Sequence, residues 1–279
     1  MFAIFKRKLL KSWLMILGWG LGLGGLGYLL LDIYGSIFRR NVELQSFIDA
    51  FPEEFLAFFG DSTSFLTMEG FLGLEFFSYM PVILGILVVS SASNLISKQE
   101  EDGSLELIAA QPISRSAIFC GKLFALIISV ILIILMTWAG MLLGASRSDT
   151  LDLSALELIN PFISLFAILL VFLGLALFLT MILPGGGSAG LLAGFLLIAS
   201  YFITSLTRLD EDLSLFNRFS PLKYYQGGDA IKALDIEYLL ILVGISVVFL
   251  LLAWFFFVKR DFRFGGSGGF RINLSKKTK

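Results

Sequence analysis

Long apolar runs separated by shorter polar connections set the pattern of the whole sequence. A helix that crosses the hydrocarbon core of a bilayer needs about 20 apolar residues, and the runs reach that length. Because an isolated strand in lipid would leave its backbone groups without hydrogen-bond partners, each run is expected to be helical. The pattern therefore predicts an all-α membrane protein with six transmembrane helices. The predicted spans are about residues 12–31, 71–97, 117–144, 157–183, 188–207 and 237–258.

The N-terminal segment is short and amphipathic. Residues 1–11 (MFAIFKRKLLK) place Phe2, Phe5 and Leu9 on one helical face, with three consecutive cations beside it. This arrangement predicts an interfacial helix that lies among the headgroups of the membrane lipids.

The remaining chain divides into one large domain and a tail. Residues 12–258 are expected to form a single six-helix transmembrane domain. Within it, the run FSPLKYYQGG before the last span suggests a partly re-entrant or interfacial element. Residues 259–279 are Gly-rich and basic, which predicts a flexible cytoplasmic tail near anionic lipid.

The cations are unevenly divided between the two sets of connections. If both termini lie inside, 14 of the 21 Lys and Arg residues are inside, but only 5 of the 22 acids. An excess of cations marks the cytoplasmic side, so we expect both termini to be cytoplasmic. The inside cations are Lys6, Arg7, Lys8, Lys11, Lys98, Arg115, Lys122, Lys259, Arg260, Arg263, Arg271, Lys276, Lys277 and Lys279, and the inside acids are Glu100, Glu101, Asp102, Glu106 and Asp261.

Composition supports a membrane protein and argues against several kinds of chemistry. Hydrophobic residues make up 57% of the chain and charged residues 15%, with a mean hydropathy of +0.89. Soluble domains carry about 25% charged residues. There is no His, and Cys120 is the single cysteine, so we predict neither an intramolecular disulfide nor a transition-metal site. We also predict no nucleic-acid partner.

Ionisable residues avoid the middle of the spans. Such residues mark proton relays and ion paths, so their scarcity argues against a proton-coupled antiporter or an ion pump. Glu75, with Glu69 before it, is the nearest case. It is either a carboxylate at the outer interface or part of a polar lining at the outer mouth. The run PGGGSAG (184–190) lacks the Lys of a phosphate-binding loop, so we expect no ATP-binding site and no enzymatic activity in this chain.

The first span carries two glycine faces. Gly18, Gly22 and Gly25 share one face, and Gly20, Gly24 and Gly27 share another. Glycine at this spacing lets helices approach closely. For both faces, the favoured interpretation is packing against a neighbouring helix of the same chain. The alternatives are a subunit interface and the wall of a translocation path.

The stretch SKQEEDGSLELIAAQPISRS (97–116) contains most of the acids on the inner side. Its acids are Glu100, Glu101, Asp102 and Glu106. The second helix is expected to continue beyond the membrane into this stretch, and Ser114 or Ser116 can cap the third span.

A short helix is predicted inside this stretch. Gly103 permits a turn, and Ser104 can cap the helix LELIAAQ. Leu105 and Ile108 lie on one face of that helix. An exposed apolar face must be buried, either on the protein's own inner ends or in a groove of a soluble partner.

The run MPVILGILVVSSASNLISKQEEDGSLELIAAQPISRSAIFCGKL (80–123) resembles the ABC-2 type transporter permeases. In that family a segment of the form E-E-x-G-[ST]-L-E/D-x-L-x-x-x-P-[IV]-[ST]-R follows the second span. The interfacial N-terminus, the six spans, the large loop after the first span and Ser220-Pro221 before the last are also similar. The most similar subgroup is the permeases associated with maturation of copper enzymes such as nitrous-oxide reductase. Related subgroups export antibiotics, peptides or ions.

The resemblance implies a half-transporter in the plasma membrane of a bacterium or archaeon. Two permease chains, as a homodimer, would join two ABC ATPase subunits that hold the ATP and Mg. The short helix would be the coupling helix, and ATPase movements would drive export by alternating access. Its residues would be Glu100, Glu101, Asp102 and Glu106 for polar docking, Gly103 and Ser104 for the turn and cap, and Leu105 and Ile108 for the buried face.

Two other functions stay open at this point. One is an ATPase-driven membrane scaffold or assembly factor without transport, and the other is a passive channel. For a transporter, the uncharged middle of the membrane favours an apolar or amphipathic cargo such as a lipid, a peptide or a drug.

Overall fold

The computed structural model describes residues 1–38, 67–101, 113–147, 154–183, 186–207 and 214–259. Within these ranges every regular element is helical and none is a strand. Six helical spans in the described ranges are long and apolar enough to cross a membrane. The all-α class and the six spans predicted from the sequence are therefore confirmed. The predicted coupling helix, from Ser104 onward, lies outside the described residues.

The helices follow one another with short turns where the chain is described. In order they are α1 Phe2–Lys11, α2 Trp13–Phe38, α3 Met68–Leu72, a π-helical turn at Gly73–Phe77, α4 Met80–Glu101, α5 Arg115–Ala145, α6 Ala155–Ile182, α7 Gly186–Leu206, α8 Ser214–Asn217, 3-10 helices at Pro221–Tyr224 and Gly227–Ile231, and α9 Ile236–Lys259.

Side-chain caps fix where several helices begin. The Ser114 hydroxyl accepts from the backbone N–H of Ala117 at 3.2 Å, so it is Ser114 that caps α5. At α6, Ser154 and Glu157 form a reciprocal capping box, which satisfies two N–H groups at the start of the helix. Asp235 accepts from the N–H of Glu237 at 2.8 Å at the start of α9.

The second span is interrupted, which the apolar pattern did not predict. The span contains α3, then the π-helical turn Gly73–Phe77, then a turn at Ser78 and Tyr79 before α4. A π turn shifts the hydrogen-bond pattern by one residue and re-aims the side chains around it. Pro81 is the second residue of α4. Proline is favourable there because the first N–H groups of a helix have no acceptor within the helix, so the N–H that proline lacks is not missed.

Helix α6 lies at the centre of the bundle and packs against α4, α5, α7 and α9. Helix α2 lies along α5, and α1 also contacts α5. Aromatic rings fill the core near the interruption of the second span. The rings of Phe77 and Phe162 meet edge to face with centroids 5.2 Å apart, and Phe76 joins them.

The bundle has two ends, which we call proximal and distal and define by the elements found at each. The proximal end contains α1, the C-terminal turns of α4 and α9, and the first turns of α5. There the guanidinium of Arg115 donates to the carbonyl oxygen of Val258 at 3.2 Å. The distal end contains α3, the π-helical turn, the start of α6 and residues 214–235.

Candidate functional site

Of the residues predicted for ATPase coupling, the structure describes only the backbone of Glu100 and Glu101, at the proximal end. The backbone of Glu100 and Glu101 forms the last turn of α4. Asp102, Gly103, Ser104, Leu105, Glu106 and Ile108 lie outside the described residues, so their role stays a prediction. Because α4 ends at Glu101 and α5 begins at Arg115, the chain between them leaves and re-enters the bundle at the same end.

A buried lysine joins the two helices at this point. The Lys122 ammonium on α5 donates to the carbonyl oxygen of Leu95 at 3.4 Å and to Oε1 of Gln99, both on α4. Lys122 is 3% exposed. Sequence reasoning counted it only as an inside cation. The Gly before it, inside an otherwise apolar helix, was the available signal that another element packs closely there.

Helix α1 is held against the same part of α5. A Cβ placed on Gly121 would lie 3.1 Å from the carbonyl oxygen of Met1 and 3.4 Å from Ile4. The last turn of α1 also lies close to α4. The pKa of Lys8 is lowered, first by burial of its ammonium and then by the charges of Lys11 and Lys98.

The two glycine faces of α2 have different environments. Gly24 packs against the backbone of α5, where a Cβ would lie 2.9 Å from the carbonyl oxygen of Met136, and Gly20 and Gly27 also contact α5. A Cβ on Gly18, Gly22 or Gly25 would meet no described atom within 4 Å. Among the described residues, α5 therefore packs on the face of Gly20, Gly24 and Gly27, and the role of the face of Gly18, Gly22 and Gly25 stays a prediction. The spacing is equal on both faces, and only the position of α5 distinguishes them.

A row of outward-facing residues with mainly polar side chains runs along the second span. We call it the α4 stripe, and its members are Glu75, Tyr79, Ile86, Ser90 and Asn94. Ile86, Ser90 and Asn94 are spaced four residues apart, and all five side chains are exposed in the single chain. The Asn94 amide donates to the carbonyl oxygen of Ser90 at 2.9 Å.

The exposed faces of α7 and α9 are apolar by contrast. On α7 the exposed side chains include Leu191, Phe195, Ile198 and Phe202, at 78%, 67%, 40% and 50% of their surface. Such side chains match the acyl chains of a bilayer, whereas amide and hydroxyl groups in that environment lack hydrogen-bond partners. The α4 stripe therefore fits a water-filled space or another protein surface better than it fits lipid.

The distal end of the stripe meets the segment between α7 and α9. Gly228 approaches the second span so closely that a Cβ there would lie 2.4 Å from the Cα of Gly73. The Tyr225 hydroxyl donates to the carbonyl oxygen of Phe77 at 2.8 Å. The Gln226 N–H donates to the Ser164 hydroxyl at 3.1 Å. The segment that the sequence suggested to be re-entrant or interfacial is thus packed into the bundle.

The two carboxylates predicted at the outer mouth both lie at this distal end. Glu69, on α3, is partly exposed, and Glu75, in the π-helical turn, is exposed. Their proposed role in a polar mouth stays a prediction. In the part of the chain that the structure describes, no group of three or more His, Cys, Asp or Glu residues could hold a metal ion.

Comparison with known protein families identifies this architecture. The family model described as "Multidrug efflux system permease Rv1217c, C-terminal domain" matches residues 11–257. The match begins at the last residue of α1, covers the first five spans completely and the sixth as far as Phe257, and includes the α4 stripe. A comparison with curated proteins finds no match. The chain is a multi-pass membrane protein and belongs to the family of the C-terminal domain of the multidrug efflux system permease Rv1217c.

Proposed function

We propose that this chain is the membrane-spanning permease subunit of an ABC-2 type exporter. Two separate ATPase subunits would hold ATP and Mg, and a second copy of the chain would complete the permease. The observation that carries the proposal is the α4 stripe, a mainly polar row on the outside of a bundle with apolar faces on α7 and α9. The family description, an efflux permease, supports the same function.

The stripe is the best candidate for the wall of the path. Leaving an amide or hydroxyl without a partner in an apolar environment costs about 1–3 kcal/mol per group. The Ser90 hydroxyl and the part of the Asn94 amide that does not donate to the Ser90 carbonyl oxygen avoid this cost if they face water or substrate between two copies of the chain. Ile86 and Tyr79 on the same row add apolar surface. A wall of this composition suits amphipathic molecules, in line with the multidrug efflux of the family's name.

The charge distribution supports a cytoplasmic proximal end. The described cations at that end are Lys6, Arg7, Lys8, Lys11, Lys98, Arg115, Lys122 and Lys259. The distal end has fewer described cations, Arg147, Arg218, Lys223 and Lys232, and its described acids are Asp32, Glu69, Glu75, Glu157, Asp229, Asp235 and Glu237. Cations concentrate on the cytoplasmic side of membrane proteins. The chain would therefore lie in a bacterial or archaeal plasma membrane with both termini in the cytoplasm.

The coupling segment would then emerge where a soluble ATPase can reach it. Residues 102–112 connect α4 and α5 at the proximal end. On the helix expected there, Leu105 and Ile108 would enter a groove of the ATPase, and the surrounding acids would form the polar rim. ATP can change the permease only if the ATPase binds it more tightly in one conformation than in the other.

Reconstitution with an ABC ATPase, which we expect to be encoded next to this gene, tests the proposal. We expect the pair to copurify and to accumulate an amphipathic fluorescent dye in inverted vesicles only when ATP and Mg are present. Leu105→Asp should abolish both copurification and dye transport.

A paired substitution tests the α4 stripe. Ser90→Leu together with Asn94→Leu should lower dye transport about thirtyfold without loss of copurification, because each removes a contact worth about 1 kcal/mol. Phe195→Leu on the apolar face of α7 is the matched control and should leave transport unchanged. If the ATPase copurifies and hydrolyses ATP but no dye is transported, a scaffold function would be favoured instead. Dye flux without ATP would favour a passive channel.

A further inference from the structure

Lys122 is a buried cation within a membrane-spanning helix. It lies on α5, two turns after Arg115, and is 3% exposed. Its ammonium contacts the carbonyl oxygen of Leu95 and Oε1 of Gln99, which belong to the last two turns of α4. The side chain thus links the beginning of one span to the end of the span before it.

The energetics of this contact favour a functional role. Removing an ammonium group from water costs several kcal/mol even after the protein relaxes. The polar oxygens of α4, together with the negative end of its helix dipole, offset part of that cost. An apolar side chain of similar length would pack at the same position without the cost. Ionisable residues within spans are accordingly rare and usually functional.

The part of α4 that Lys122 contacts lies beside serine hydroxyls that bond to the preceding turn of the helix. The hydroxyl of Ser97 donates to the carbonyl oxygen of Ser93 at 2.6 Å, and that of Ser93 donates to Ser90 at 3.1 Å. Serine hydroxyls that bond to the preceding turn compete with the backbone ladder and favour bending. The same turns contain Ser90 and Asn94 of the α4 stripe.

Lys122 also joins the two helices that flank the segment proposed to receive the ATPase movement. Residues 102–112 start one residue after the end of α4 and finish three residues before Arg115, where α5 begins. The neighbouring Gly121 is covered by the first turn of α1, through Met1 and Ile4. Three elements of the proximal end therefore meet around Gly121 and Lys122.

We propose that Lys122 is a positioning residue that ties the last turns of α4 to α5. The two ends of segment 102–112 then move as one body, and a displacement of that segment reaches Ser90 and Asn94. This inference rests on the proposed function, since it assigns a route from the ATPase to the α4 stripe. Without the tie, bending of α4 would absorb the displacement.

Lys122→Met tests the tie in two independent ways. In the purified permease without ATPase, amide hydrogen exchange across residues 95–101 should accelerate about tenfold, since a charge-assisted hydrogen bond is lost. In the reconstituted full complex, the number of ATP molecules hydrolysed per dye molecule transported should rise, also about tenfold. Lys122→Arg keeps a cationic donor and should restore most of the coupling.

Lys259→Met is the matched control, because Lys259 is an exposed cation at the same end of the bundle. It should leave both measurements unchanged. If Lys122→Met does not fold, Gln99→Leu removes the partner instead and should change both quantities in the same direction. The inference is wrong if either variant lowers ATP hydrolysis and transport by the same factor, or leaves the exchange of residues 95–101 unaltered. Absence of ATP-dependent transport in the wild-type complex would instead refute the proposed function, and the exchange measurement would still decide the tie.

Discussion

The two ends of the second span are held in different ways. At the distal end, backbone meets backbone, since a Cβ on Gly228 would lie 2.4 Å from Gly73 and 2.6 Å from the carbonyl oxygen of Glu69. At the proximal end, side chains make the connection. Lys122 reaches across to α4 from α5, and the ammonium groups of Lys8 and Lys98 lie close enough to repel each other.

This difference separates a fixed end from an adjustable one. Backbone atoms in direct contact have no rotamers to change, so the distal contact either forms completely or is lost. Side chains keep rotamer freedom, which allows the proximal end to shift as one body, with α4 and α5 still tied by Lys122, while the fold persists. An exporter that is driven from its cytoplasmic side needs the adjustable end on that side.

The largest expected effect comes from breaking the distal contact. Gly228→Leu places a side chain where the backbone of Gly73 and Glu69 already lies, and neither can move without displacing the second span. Overpacking of this kind costs about 3 kcal/mol or more when the neighbours cannot yield. Thermal unfolding in detergent, followed by the loss of monodisperse protein, should show a large decrease in midpoint.

Gly244→Leu on α9 is the matched control, because a Cβ at Gly244 meets no described atom within 4 Å. It should leave the unfolding midpoint unchanged or raise it slightly, since leucine has the higher helix propensity. If Gly228→Leu and Gly244→Leu lowered the unfolding midpoint equally, the close backbone contact at Gly228 would not be the cause of the destabilisation.

A smaller effect is expected from removing the hydroxyl of Tyr225, which also lies at the distal end. Tyr225→Phe removes the hydrogen bond to the carbonyl oxygen of Phe77 and should cost about 1–2 kcal/mol, because that carbonyl keeps no equivalent donor. Chemical denaturation in detergent micelles measures the loss. Tyr224→Phe changes the neighbouring hydroxyl and should cost less.

The pH dependence of Tyr225 sharpens this test. Burial raises the pKa of the Tyr225 hydroxyl well above its usual value of 10.0. The unfolded chain therefore releases this proton first as the pH increases. The stability that the protonated hydroxyl provides is complete below about pH 10 and declines above it. Wild type should lose this advantage over Tyr225→Phe in alkaline solution, and a constant difference up to pH 11 would contradict the assigned burial.

Much of the fold follows from the sequence because lipid imposes simple demands. A span must be helical and about 20 residues long, so apolar runs locate the six helices closely. Hydropathy is insensitive to backbone geometry, and the π-helical turn at Gly73–Phe77 therefore left no trace in it. Pro81, two residues after the interruption, was the available local signal.

The candidate site was less predictable because it depends on which helices become neighbours. Gly22 and Gly24 are equivalent in the sequence pattern, and only the position of α5 makes one packed and the other open. In the sequence, Lys122 is like any other cation near the end of a span. Only the structure shows that its ammonium contacts Gln99 of α4. The polarity of Ser90 and Asn94 is visible in the sequence, but their exposure is not. The acids after Glu101 suggested a docking loop by composition and resemblance, and that prediction is still to be tested.

The smallest expected effect concerns the adjustable proximal end. Lys98→Gln removes one of the charges that lower the pKa of Lys8, so that pKa should rise towards the ordinary value of 10.5 while burial still keeps it lower. The charged form of Lys8 opposes folding at neutral pH, and this penalty fades as the pH rises through the lowered pKa. Lys98→Gln should therefore hold α1 slightly more firmly at pH 7. Titration of dimethylated lysines by NMR gives the pKa, and Lys6→Gln, on the exposed side of α1, is the control.

An unchanged pKa of Lys8 in Lys98→Gln would mean that the charge at the end of α4 does not act on α1. The proximal end would then lack the adjustable contact that distinguishes it from the distal end.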